Sequence, residues 1–153
     1  MNTHFTHNTC FGRTALALLL ALITTTTARA QVLQDGCWYY IKIDENHALI
    51  TDNDLTTDAT GIIIPETLGG VPVTGFGVDF TLEKYTELAS LKFPANSSIT
   101  TIPPNFVRGC SKLGVVDIEG NTNSNNYSLP TSITTIEAGA FRARSLTISP
   151  CPP

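Results

Sequence analysis

Val73-Thr74-Gly75-Phe76, Ile99-Thr100-Thr101-Ile102 and Ile133-Thr134-Thr135-Ile136 are three versions of one phrase, and their reading decides the fold. Each alternates apolar and polar residues, as a short strand with one inward face does. A phenylalanine follows each within a few residues: Phe80, Phe106 and Phe141. Apolar triads of the form L-x-x-L-x-L come next, at Leu88/Leu91/Phe93, Leu113/Val116/Ile118 and, more weakly, Ala143/Leu146/Ile148. Self-similarity at a period of roughly 25 to 35 residues predicts stacked coils, each burying its apolar side on its neighbours. The inward positions of such a stack are Phe76, Phe80, Leu88, Leu91, Phe93, Ile99, Ile102, Phe106, Leu113, Val116, Ile118, Ile133, Ile136, Phe141, Leu146 and Ile148.

Prolines punctuate the coils. Ile64-Pro65, Phe93-Pro94 and Leu129-Pro130 each close a short strand, because proline has no amide hydrogen for the ladder. Residues 104–110 and 137–143 read as turns or brief helices, too short to be helical without packing. The asparagine- and serine-rich stretch 120–128 breaks the period and reads as a loop inserted on one face, often the binding face. Ahead of the coils, Cys37 to Ile43 is aromatic and β-branched, Asp44 to His47 is a turn, and Ala48 to Thr51 returns. That hairpin predicts a lid over the apolar end of the first coil. The organisation expected is 1–30 signal peptide, 31–61 hairpin cap and linker, 62–150 repeat coils and 151–153 tail.

The first thirty residues are set apart by composition. An apolar run from Thr14 to Ile23 is too short to span a bilayer, and Ala28-Arg29-Ala30 offers the small residues a signal peptidase reads. Cleavage after Ala30 and export to the exterior or the cell envelope are the expectation, with no membrane insertion afterwards. Without Arg13 and Arg29, seven basic residues face thirteen acidic ones, a net charge near −6. Nucleic acid and anionic membranes, which want a basic face, are poor partners for such a chain. Of the cysteines beyond the signal, Cys37, Cys110 and Cys151, the spacings match no metal motif. An oxidising compartment permits one bridge with a free thiol, an intermolecular bond, or buried unpaired thiols.

The pattern resembles the BspA-like leucine-rich repeats, a family of secreted and surface proteins. Its unit is similar to Ile64-Pro65, Val71-Pro72-Val73-Thr74-Gly75-Phe76-Gly77 and Phe80, then to Ile99–Ile102, Phe106, Gly109-Cys110 and Leu113, then to Ile133–Ile136, Ala140-Phe141 and Leu146. The chain departs from it at Phe76, at Pro103 and at Ala143. The resemblance implies a repeat solenoid of leucine-rich-repeat type, mainly short strands with short helical turns, and adhesion to proteins or glycans. It supplies no residue motif for that binding.

The residues themselves offer little for catalysis. His47 is the one histidine outside the signal, in a turn beside Asp44 and Glu45, and no nucleophile elbow, zinc helix or phosphate loop appears. Asp52, Asp54 and Asp58 offer oxygens on a loop, as calcium favours, but the spacing is not that of an EF-hand. Asp117 and Glu119 flank Ile118 and are expected to face water. Trp38, Tyr39 and Tyr40 read as cap residues before they read as a sugar platform. Sequons at Asn96-Ser97-Ser98 and Asn126-Tyr127-Ser128 fall in polar loops. No enzyme, cofactor or metal is expected. The expected function is a protein- or glycan-binding surface module of adhesion type. A structural envelope component, self-associating end to end through its C-terminal coil, or a shortened copy of a longer adhesin, is the alternative.

Overall fold

The fold is given by a computed structural model that describes residues 31–122 and 127–142. Among the described residues ten strands form: β1 Val32–Asp35, β2 Trp38–Lys42, β3 Ala48–Asn53, β4 Gly61–Ile63, β5 Thr67–Leu68, β6 Val71–Phe76, β7 Ser90–Phe93, β8 Thr101–Ile102, β9 Val115–Ile118 and β10 Thr135–Ile136. They make a curled five-stranded sheet in the order β1-β2-β3-β6-β5, a parallel three-stranded sheet β4-β7-β9, and a parallel pair β8-β10.

The curled sheet is built from local hairpins. Asp35-Gly36-Cys37-Trp38 turns β1 into β2, with Gly36 at φ 57° supplying the left-handed residue such turns require. The Gly69-Gly70 turn likewise joins β5 to β6, both glycines at positive φ. Between the hairpins β3 and β6 run parallel, through Ala48↔Val73, Leu49↔Gly75 and Ile50↔Phe76. The sheet curls far enough for its two ends to touch. Asp35 Oδ2, on β1, accepts the Gly69 amide at 2.8 Å, and Lys42 donates to the Gly69 carbonyl at 3.2 Å.

The parallel sheets need no local turn chemistry, only matching apolar positions. Ile62, Leu91 and Val116 stand in register across β4, β7 and β9 and are all buried. Runs of turns lead into β7 and β9. In 77–88, amides bond back three residues, Phe80 to Gly77, Tyr85 to Leu82 and Leu88 to Tyr85. Arg108 to Asn105, Cys110 to Val107 and Leu113 to Cys110 repeat the arrangement in 103–113. Five phenylalanines gather beneath these turns. Phe106 is fully buried, with ring centroids of Phe76 at 4.8 Å, Phe80 at 6.0 Å, Phe93 at 6.4 Å and Phe141 at 6.5 Å.

This architecture overturns the expected leucine-rich-repeat solenoid with helical turns. The described residues contain no helix, and the three copies of the phrase do not share one ladder. Val73–Phe76 lies within β6 and pairs with β3 of the mixed sheet, whereas Thr101–Ile102 and Thr135–Ile136 pair only with each other. The reason is competition. The N-terminal hairpin presents a complete strand edge at β3, and the first copy takes it. Helical turns fail because one turn cannot repay the cost of nucleation, and these segments are broken by Pro103, Pro104, Asn105 at φ 55° and Gly109 at φ 86°. Residues expected as the 31–61 hairpin cap and linker supply β1, β2 and β3, three of the five strands of that curled sheet.

Of the positions read as inward, Phe80, Leu88, Leu91, Phe93, Ile99, Ile102, Phe106, Leu113 and Val116 are buried. Phe76, Ile118, Ile133 and Phe141 are half-buried, and Ile136 is 52 % exposed. Leu146, Ile148 and the expected signal peptide lie outside the described residues. Cys37 is disulfide-bonded, while Cys110 is a buried free thiol donating to the Leu82 carbonyl at 3.2 Å, its pKa pushed up to about 11 by burial.

Candidate functional site

A bulge sets the chemistry at one end of the curled sheet. β2 meets β3 at Tyr40↔Ile50 and next at Tyr39↔Asp52, so Thr51 is the extra residue. Ala48 and Ile50 are buried before it, Asn53 and Leu55 after it. Asp52 and Asp54 therefore face solvent, where unbroken alternation from Ile50 would have turned both inward.

The inward residues anchor this end from below. Asn53, 1 % exposed, accepts the Tyr85 hydroxyl at its Oδ1, which also accepts the Leu55 amide at 3.3 Å. Burial raises the Tyr85 pKa far above the ordinary phenol value, with the charges of Asp52 and Asp54 adding to it, so the hydroxyl stays protonated as a donor. Lys84 Nζ donates to the Asn53 carbonyl at 2.9 Å, stands 3.5 Å from Asp52 Oδ1 and lies 5.3 Å from the Tyr85 ring centroid. These contacts tie the end of β3 to the turn at 81–85.

Above them opens a cleft of about 350 Å³, lined by Thr51, Asp52, Asp79, Phe80, Thr81, Glu83 and Lys84. Three carboxylates face one ammonium, which is already engaged by Asp52 and the Asn53 carbonyl. Alongside, the Tyr39 hydroxyl donates to Asp54 Oδ2 at 2.5 Å, and that bond, more than burial, raises the Tyr39 pKa. Such a surface is rich in acceptors. It suits a ligand that brings hydroxyl or ammonium donors.

Among the described residues, His47 is not part of the cleft lining. His47 sits with its Nδ1 2.7 Å from the Asp44 carboxylate in an exposed turn. The Asn46 amide first, and His47 second, hold the Asp44 carboxyl below its usual range. The oxygens of Asp52, Asp54 and Asp58 do not converge, and among the described residues no three His, Cys, Asp or Glu side chains could hold a metal ion.

Other expected positions divide. Tyr39 flanks the cleft, Tyr40 is buried in the sheet, and Trp38 packs half-buried on the core. The expectation that Asp117 faces water is corrected: it is 8 % exposed, with Asn121 bonded to it. Asn121 Nδ2 donates to Asp117 at 2.7 Å and the Ile118 amide at 2.8 Å. Those two bonds, the Asn121 bond the larger, lower its pKa, against an opposing effect of burial. Glu119 is exposed. Of the 120–128 loop, residues 123–126 lie outside the described residues, while the Ser128 amide bonds the Val116 carbonyl at 2.8 Å. Asp79, Thr81, Glu83 and Lys84 were not legible as a site. They read as an ordinary polar turn after Phe80, and only the tertiary approach of β3 gathers them around one cleft.

No family model matches the chain, and no curated protein or solved structure is significantly similar to it.

Proposed function

We propose that the chain is a non-catalytic binding module working outside the cell or at its envelope, and that it engages a protein or a glycan through the cleft beside Thr51. The observation that carries this reading is the bulge, which turns Asp52 and Asp54 outward and leaves Asp52 in one cleft lining with Asp79 and Glu83. The exposed acceptors are anchored from below through the bonds of Tyr85 and Lys84 to Asn53, and such anchoring lowers the ordering cost of binding. The acidic balance of residues 31–153 disfavours nucleic acid and anionic lipid as the partner.

The test is capture by purified 31–153 from extracellular matrix proteins, arrayed surface glycans and envelope extract. Capture should survive moderate salt and fall at least tenfold in Asp52→Lys/Asp79→Lys, whose melting temperature should stay near that of the parent. Undiminished capture by that variant would remove the cleft from the reading. A second reading, association end to end, draws on Ile136, which is 52 % exposed on β10, a strand paired only with β8 among the described residues. Sedimentation at rising concentration separates the two, since a monomer throughout removes end-to-end association.

A further inference from the structure

We infer that Asn96 is an acceptor for an N-linked glycan when the chain enters a secretory compartment. The inference rests on the export proposed above. The sequon Asn96-Ser97-Ser98 follows β7 on a turn, and both Asn96 and Ser98 are exposed. A hydroxyl two residues beyond the asparagine is what the sequon requires, and here it faces solvent. The restraint within the sequon is a weak one, the Ser97 hydroxyl accepting the Ile99 amide at 3.3 Å.

The second sequon differs. Tyr127 pairs with Val116 as an isolated bridge, and the Ser128 amide is bonded to the Val116 carbonyl at 2.8 Å. Its hydroxyl-bearing residue is thus held in the ladder beside β9, and folding competes with modification there. In the reaction, Asn96 Nδ2 attacks C1 of the first sugar of a polyisoprenyl-pyrophosphate-linked oligosaccharide. The C1–O bond to phosphate breaks, the C1–N bond forms, the amide loses one proton, and the lipid pyrophosphate leaves.

The experiment expresses two forms in a yeast secretory host: the full chain, and the chain with residues 1–30 replaced by a proven secretion leader. The leader-bearing form should run as a slower band that endoglycosidase collapses. Asn96→Gln should lose that shift, while Asn126→Gln should keep it. A secreted, leader-bearing chain with no shift, or with a shift lost only in Asn126→Gln, overturns the inference. A glycosylated leader form beside an unexported native chain would leave Asn96 standing as an acceptor and remove the export reading instead.

Discussion

The curled sheet and the parallel sheets bury their apolar residues by different means. The first region is a mixed sheet of hairpins, closed by polar clasps from Asp35 and Lys42 to Gly69. The second has parallel ladders of two to four residues, too short to hold alone, packed on a cluster of phenylalanine rings. Backbone hydrogen bonding organises the one, side-chain packing the other. A truncation in the ring cluster should therefore damage the second region most, and a change of backbone geometry the first.

Phe106→Ala is the strongest way to break the contrast. Its ring touches all four other phenylalanines of the cluster, and its removal should cost about 3–5 kcal/mol. Hydrogen exchange should show amides of 90–118 losing protection before those of β2 and β3, whereas uniform loss would mean the two regions unfold as one. Gly69→Ala comes next. Its φ is 54°, and a Cβ there would collide with the Tyr40 hydroxyl. A destabilisation of about 1–3 kcal/mol is expected from strain of this kind, read by denaturant titration, with early exposure confined to β1 and β5.

Asp117→Asn sharpens the comparison through pH. The folded carboxyl titrates below its ordinary value of 3.8. Its contribution is therefore complete above that pH and is lost as pH falls through the lowered folded value. The stability difference between parent and variant should be constant from pH 5 to 7 and shrink below about 3.8; a difference growing toward acid would reverse the assignment. Tyr39→Phe should do least to the fold, its melting temperature staying near that of the parent, while weakening capture by the cleft.

Much of this was legible in sequence at the level of strands. The hairpin at 37–51, the alternation at 73–76 and the ladder residues Leu91 and Val116 follow from β-branched and aromatic patterning. The strand Val32–Asp35 was overlooked beside the expected signal cleavage, although Asp35-Gly36 is a strong hairpin signal. What could not be read was which edge each copy of the phrase would choose. Periodicity records that segments are alike, not that they pair with one another, and β3 took the first copy. The cleft was hidden for a related reason. Asp52 and Lys84 are brought together by a bulge with no glycine or proline to mark it.

That bulge sets the facing of the strand by residue count rather than residue identity. Deleting Thr51 alone would leave Asp52 directly after inward Ile50, so the strand would alternate without interruption, Asn53 inward and Asp52 and Asp54 outward. In evolutionary terms Thr51 stands as a one-codon insertion whose removal the strand absorbs with its acceptors still facing water, a step that a scan of substitutions would never encounter.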